Sequence, residues 1–380
     1  MGELQVPAYG AGALSDLLPA VLASLGVAGE PDVLGLPETR RAVVLLVDGL
    51  GAELLRRHAD QAPFLSSVTA RRLTAGFPAT TVTSLSSLGT GLAPGEHGLT
   101  GYTSWVQEVD ASVGWLGWTP VGGREDLRER LVPEQVQPRQ TVFERAETAG
   151  VEVTVAAPAQ FEGTGLTRAV LRGGRYRGAV TPGDAIAHAV TGSGLGSRSL
   201  VYCYTADLDL TGHVRGVDSD AWRAQLRLVD RFAEELAARL PAGTALHVTA
   251  DHGMVDVPDG SKVDADDDEN GLMAGVLALA GEPRARHVHA VPGAAAEVLA
   301  RWRAALGDRM WVGTGADAVA AGLLGPVVTP AARARTGDVV AIATGDVAVV
   351  RREVEPFFSA LLGQHGALTP DELFVPLLTA

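Results

Sequence analysis

Residues 42–49 read Ala42-Val43-Val44-Leu45-Leu46-Val47-Asp48-Gly49. An apolar run without alternation, rich in β-branched valine and closed by a carboxylate and a glycine, is the pattern of a strand buried on both faces. Two other stretches repeat it. Ser199-Leu200-Val201-Tyr202-Cys203-Tyr204 runs into Asp207 and Asp209, and Ala245-Leu246-His247-Val248-Thr249-Ala250 ends in Asp251-His252. In an open α/β sheet the ligand crevice lies outside the carboxyl ends of the strands, so three such strands would deliver their carboxylates to one place. His213 follows Asp209 by one helical turn, which puts both on one side of a helix, and His365 stands near the chain end. Asp48, Asp209, His213, Asp251, His252 and His365 together read as a two-metal site. Carboxylate oxygen and imidazole nitrogen are ligands zinc accepts, and catalytic zinc keeps a position free for water or substrate.

A fourth segment, Phe77-Pro78-Ala79-Thr80-Thr81-Val82-Thr83-Ser84, is crowded with hydroxyls. Pro78 suits a helix start, and Gly89 to Pro94 suits its end. A hydroxyl at a helix N-terminus stands where backbone N–H groups and the helix dipole favour a phosphate. It is a weak nucleophile at neutral pH unless a metal or a base takes its proton. Thr80, Thr81, Thr83 and Ser84 compete for that role.

The order of these pieces resembles the alkaline phosphatase superfamily, and within it the nucleotide pyrophosphatase/phosphodiesterase branch. The resemblance is carried by strand-Asp48-Gly49, Phe77-Pro78 with Thr81, His97-Gly98, Asp209-Leu210-Thr211-Gly212-His213, Asp251-His252-Gly253-Met254 and Gly363-Gln364-His365-Gly366. It implies an α/β fold, a mostly parallel sheet sandwiched by helices, with a small inserted α+β cap. It also implies two Zn2+ per chain, with Asp209, His213 and His365 on one ion and Asp48, Asp251 and His252 on the other. Counted from Phe77-Pro78, Thr81 becomes the nucleophile, which would carry a covalent phosphoryl group until water releases it. The expected activity is hydrolysis of a phosphodiester or pyrophosphate bond in a small organic phosphate or nucleotide-like substrate. A phosphomonoesterase or phosphonate hydrolase of the same superfamily is the alternative, and a non-catalytic metal-binding protein is a third reading.

One position departs from the branch, which carries an Asn five residues after the His of the His-Gly pair. Tyr102 stands there in this chain, and a phenol can donate one hydrogen bond to a phosphoryl oxygen. Between Phe77 and Glu108 the chain has no Lys or Arg. Superfamily members that cleave monoester dianions bring such a cation near the nucleophile, so a diester or pyrophosphate is expected. Arg168, Arg172 and Arg215 are the cations that would serve a monoester. The Cys/Ser-x-Pro-x-Arg segment of sulfatases is absent.

Composition sets the outer limits. The chain has 380 residues, 46% of them hydrophobic, and a net charge of −14. That balance argues against a nucleic-acid backbone as partner, since polyanion binding draws on a basic surface. No apolar run is long enough to span a bilayer. The stretch Leu14 to Val27, interrupted by Ser15, Asp16, Pro19 and Ser24, predicts an amphipathic helix. The start Met1-Gly2-Glu3 lacks a basic n-region, and Val6 stands where myristoylation needs Ser or Thr. The single Cys203 excludes a disulfide within the chain. A cytoplasmic enzyme with neither nucleic-acid nor membrane partner is expected, and nothing in the sequence indicates its oligomeric state.

Further along, Trp222, Leu226, Val229, Phe232, Leu236 and Leu240 recur at helical spacing and predict a helix over 220–240, and another is expected over 294–306. Residues 256–335 contain their own strand and helix and are expected to form the cap, leaving 1–255 and 336–380 as the metal-binding core. The acidic stretch Asp264 to Asn270 lacks the central Gly and distal Glu of a calcium loop and reads as a solvated loop. Val339 to Thr344 and Val347 to Arg351 flank Gly345-Asp346 as an expected hairpin. His97 is expected to order the turn after Pro94, and His247 to be a core histidine.

Overall fold

The three runs read as buried strands lie side by side in the computed structural model, which describes residues 4–380. Strand Arg41–Val47 pairs in parallel with Ser199–Thr205 on one side and Thr244–Thr249 on the other. Every residue from Ala42 to Val47 is buried, which is why the run shows no alternation. The seven-stranded sheet has the order Thr69–Thr74, Phe374–Thr379, Thr244–Thr249, Arg41–Val47, Ser199–Thr205, Glu152–Pro158, Arg175–Ala179. Only Phe374–Thr379 runs against the rest. Helices cover the sheet as expected. Asp220–Arg239 buries Trp222, Leu226, Val229, Phe232 and Leu236 along one face, and the Ser219 side chain accepts the Trp222 N–H to cap its start.

A second seven-stranded sheet, antiparallel throughout, has the order Met310–Thr314, Val339–Ala343, Ala285–Ala290, Val276–Glu282, Thr103–Val106, Ala111–Gly114, Thr119–Pro120. The expected cap limits of 256–335 therefore miss the strands from residues 103–120 and Val339–Ala343. Apolar side chains of both sheets join in one contiguous core. The segment after His97-Gly98 thus carries the chain straight from the hydroxyl-rich helix into the second sheet.

Two local expectations fail. Val339–Ala343 and Ala348–Val350 do not form a hairpin: the first pairs with Ala285–Ala290 and Met310–Thr314, the second runs parallel to Lys262–Asp264. Both arms are apolar on both faces, and each finds a different partner around the Gly345-Asp346 turn. The Leu14 to Val27 stretch is not amphipathic. It forms a 3-10 turn and the helix Leu17–Ser24, with Leu14, Leu17, Leu18, Val21 and Leu22 wholly buried. The acidic loop is partly neutralised, because Arg351 reaches Asp266 at 2.8 Å. No helix among the described residues is long and apolar enough to cross a membrane. The Met1-Gly2-Glu3 start, read above for targeting signals, lies outside the described residues.

Candidate metal centre and active site

All six acidic and histidine side chains singled out in the sequence meet at the carboxyl edge of the main sheet. Asp48 follows strand Arg41–Val47 directly, and its N–H bonds to the carbonyl of Thr205 at 3.0 Å. Asp251 lies just past Thr244–Thr249, and Asp209 and His213 sit on the helix Asp207–Arg215 that follows Ser199–Thr205. His365 comes after Gly363–Gln364, which pairs with Val255–Asp256. The motif glycines let these turns touch. Gly49, at φ 76°, would carry a Cβ only 3.0 Å from the Asp209 backbone, so no larger residue fits between the two carboxylates. A Cβ on Gly363 would meet the Gly212 carbonyl at 2.5 Å, which brings the His365 segment onto the helix bearing His213.

The side chains fall into two clusters, Asp209-His213-His365 and Asp48-Asp251-His252, in each of which the ligand atoms lie within 4.8 Å of one another. The imidazole protons are fixed from outside the clusters. Since a carbonyl can only accept, His213 Nδ1 donates to Gly363 O at 2.7 Å, His252 Nδ1 to Gly253 O at 2.9 Å and His365 Nδ1 to Ala79 O at 3.0 Å. Neutral, His213 and His252 then turn an Nε2 lone pair toward the carboxylates: His213 Nε2 is 3.2 Å from Asp209, and His252 Nε2 is 3.4 Å from Asp251 and 3.5 Å from Asp48. Lone pairs facing carboxylates call for a proton or a metal ion between them. Asp48 Oδ1, Asp209 Oδ1 and Asp251 Oδ2 are moreover buried without any hydrogen-bond partner. Histidine with its second nitrogen anchored on a backbone carbonyl is the support that metal ligands usually have, and the donor set fits a pair of divalent ions.

Electrostatics agree. Burial first, then the charges of Asp251 and Asp209, raise the Asp48 carboxyl well above its ordinary range, and burial raises Asp251 as well. For Asp209 burial works upward, but His213, His365 and His252 outweigh it and hold the group low. Burial, then His252 beside it, depresses His365. His252 and His365 stack with ring centroids 3.6 Å apart. Tyr204, a residue the sequence reading left as a strand position, donates its phenol to Asp48 Oδ2. Burial and the neighbouring Asp48 and Asp251 charges keep that phenol protonated.

The hydroxyl cluster resolves to one candidate. The helix runs Thr81–Thr90, with Thr80 extended at its N-cap and Gly91 left-handed at its end. Thr81 has its Oγ1 3.2 Å from His252 Nε2, and Thr80 lines the same cavity. Thr83 donates to Leu99 O, Ser84 donates to Asp251 O at 2.7 Å, and Thr80 is fully buried. Asp207 is exposed and belongs to neither cluster. The His97 Nδ1 accepts the Leu99 N–H at 3.2 Å, so its Nε2 proton points to Ser87 Oγ at 3.1 Å. It orders the turn as expected. His247 is buried in its strand beside Thr379.

Asp48, Thr81, Asp209, His213 and His365 stand in the wall of a cavity of about 650 Å³ that also contains Tyr102. Tyr102 packs on Phe358 with ring centroids 5.0 Å apart, and burial, helped by Glu355 and Glu282, keeps its phenol protonated. Arg168 and Arg172 do not reach this cavity: they pair with Glu134 at 2.8 Å and Glu144 at 3.2 Å. Nor does Arg215 line it. The one Lys or Arg among the described lining residues is Arg286, locked to Glu355 at 2.8 Å. Sequence reading missed it, and nothing in the chain around Arg286 signals the role. Glu282 was also missed, although it closes the apolar run Val276–Glu282 much as Asp48 closes its own. Both Glu282 oxygens are buried and outside hydrogen-bond geometry, and burial pushes the carboxyl up to about 8, with the nearby Thr80 hydroxyl and Tyr102 amide pulling the other way.

Comparison with known proteins supplies a family. The family described as type I phosphodiesterase / nucleotide pyrophosphatase matches residues 42–368. A search of curated proteins finds no significant match. Among solved structures, human ectonucleotide pyrophosphatase / phosphodiesterase 5 superposes with a TM-score of 0.69 at 17% identity, covering 89% of this chain and 87% of that one. The murine counterpart, as an inactive threonine-to-alanine variant in complex with AMP, gives 0.66 at 17% identity over the same shares. Phosphonoacetate hydrolase from Sinorhizobium meliloti, in complex with phosphonoformate, gives 0.67 at 19% identity and 90% of each chain. At these identities the likeness establishes the fold.

Proposed function

The chain belongs to the type I phosphodiesterase / nucleotide pyrophosphatase family, hydrolases of phosphoric ester or anhydride bonds, and we propose that it cleaves a phosphodiester or pyrophosphate through Thr81 at a dizinc centre. The observation that carries this is the placing of Thr81 Oγ1, 3.2 Å from His252 Nε2 at the first residue of a helix, beside two Asp/His clusters in which one oxygen of each aspartate lacks a hydrogen-bond partner. Asp209, His213 and His365 would hold one ion and Asp48, Asp251 and His252 the other. Bound there, the pair lowers the pKa of an attacking oxygen and offsets charge on the departing one.

The chain's own residues supply position. The N–H groups that open the Thr81–Thr90 helix face a phosphoryl group and favour its negative charge. Thr81 gives up its hydroxyl proton to solvent, and its Oγ1 bonds to phosphorus as the ester oxygen leaves with the bonding pair and takes a proton from solvent. Water then attacks phosphorus and loses a proton, and the bonding pair returns to Thr81 Oγ1, which is reprotonated. Tyr102, kept protonated, donates to a phosphoryl oxygen where the family has Asn. Apolar walls around this end exclude bulk water, which strengthens each of these contacts. Turnover of a nitrophenyl diester against the matched monoester, with metal content measured on the same sample, tests the reading. Metal-free protein that is fully active, or no diester turnover by the metal-loaded protein, overturns it.

A further inference from the structure

We propose that the organic half of the substrate is a bulky apolar group, an alkyl chain or aryl ring, seated in the cavity beyond Thr81; this rests on the reading of Thr81 and the two clusters as the reacting centre. With phosphorus at Thr81, the rest of the substrate occupies the remainder of the 650 Å³ space. That volume is in the range of sites that enclose a sizeable organic ligand. Its lining includes the apolar side chains of Leu85, Phe161, Leu166, Leu171 and Phe232, set among threonine and tyrosine residues.

The rim carries the argument further. Leu116, Val180, Leu210 and Phe357 line the cavity and are 42%, 84%, 57% and 63% exposed. They come from four separate stretches of chain, so no single element's packing explains why they converge. Large apolar side chains exposed around one cavity mark a surface meant to be covered, and Thr81 lines that same cavity. Phe357 continues an aromatic series inward, packing on Phe358 at 5.3 Å, which packs on Tyr102 at 5.0 Å.

Charge excludes the main competitor, a second anionic group. The single cation among the described lining residues, Arg286, is paired with Glu355 at 2.8 Å, Asp207 adds an unpaired carboxylate, and Glu282, held protonated by burial, offers no positive charge. A further phosphate or a carboxylate would meet net negative surroundings.

The test compares nitrophenyl phosphodiesters whose second ester group is methyl or hexyl, offered to metal-loaded protein as monomers and in phosphatidylcholine vesicles. Each methylene is worth about fourfold when fully buried, so kcat/KM for hexyl over methyl is expected to rise at least about tenfold, chiefly in KM. Phe357→Ser and Val180→Ser, both at exposed positions, should pull that ratio toward one. A preference among monomers assigns a soluble ester, and a preference confined to vesicles assigns a lipid. Equal turnover of both esters overturns the apolar assignment alone, as does a preference untouched by either substitution. Failure to turn over either ester overturns the proposed function instead.

Discussion

His365 donates its Nδ1 proton to the carbonyl of Ala79, 3.0 Å away and 286 positions earlier in the chain. The Ala79 N–H in turn bonds to Gly366 O at 3.1 Å, so the last proposed metal ligand and the loop before Thr81 hold each other in place. Ser84 adds a bond to the carbonyl of Asp251. The position of Thr81, the proposed nucleophile, is therefore set by the same backbone that aims the proposed ligands.

Metal content is the first expectation. Purified protein should carry about two zinc ions per chain. His365→Ala and Asp209→Ala should each lower that to about one while leaving the thermal midpoint within a few degrees, because the core does not depend on these side chains. Elemental analysis together with thermal melts reads both quantities. Full occupancy in either variant would remove the residue from the ligand set.

Thr81→Ala should keep both ions and lose several orders of magnitude in kcat/KM, since the two-step route needs an atom to carry the phosphoryl group. Thr83→Ala, which loses only its bond to Leu99 O, should retain most activity. A dead Thr83 variant beside an active Thr81 variant would move the nucleophile by two positions.

A diester should be preferred to the matched monoester. One uncompensated charge at about 5 Å in an effective dielectric near 20 costs roughly 3 kcal/mol, about a hundredfold in rate, and Arg286 is already neutralised by Glu355. Tyr102→Phe should lower diester turnover about tenfold to a hundredfold with both ions retained. A monoester turned over as fast as the diester would show that Arg286 is free to act on it.

The Glu282 carboxyl, pushed up to about 8 by burial, makes stability pH-dependent in a defined direction. Between the usual carboxylate range and about pH 8 the unfolded chain has lost this proton while the folded chain keeps it, so the contribution present at low pH is lost as pH rises. Urea melts of Glu282→Gln and wild type at pH 5, 6.5 and 8 should show the variant gaining on wild type as pH climbs. Parallel curves would mean that Glu282 is already ionised in the fold.

Much of this site could be read in advance because each proposed ligand ends or follows an apolar run, and the sheet edge gathers what strands deliver. Asp48, Asp209 and Asp251 needed only that rule. Thr81 needed the family's spacing, since the sequence alone offered four hydroxyls within five positions. Glu282 obeys the same rule as Asp48 and was passed over because its run closes in the second sheet, whose reach back to residues 103–120 depends on long-range pairing that periodicity does not encode. Arg286 gave no signal, because a buried cation is recognised by its partner Glu355, 69 positions away. The hairpin at Gly345-Asp346 failed for a related reason: a turn signal says that the chain reverses but not which strands pair.

Strand Phe374–Thr379 lies between Thr69–Thr74 and Thr244–Thr249 and, among the described residues, is the only strand to which Thr69–Thr74 pairs. A ribosome works from the other end, at about 5–20 residues per second. Thr69–Thr74 is among the first strands to emerge, and it waits through the synthesis of some 300 residues before its neighbour exists. The loop before Thr81, just downstream, waits equally long for Gly366. Until residues 366–379 leave the exit tunnel, Thr69–Thr74 has no partner strand among the described residues, and the two halves of the proposed reacting centre have not yet met.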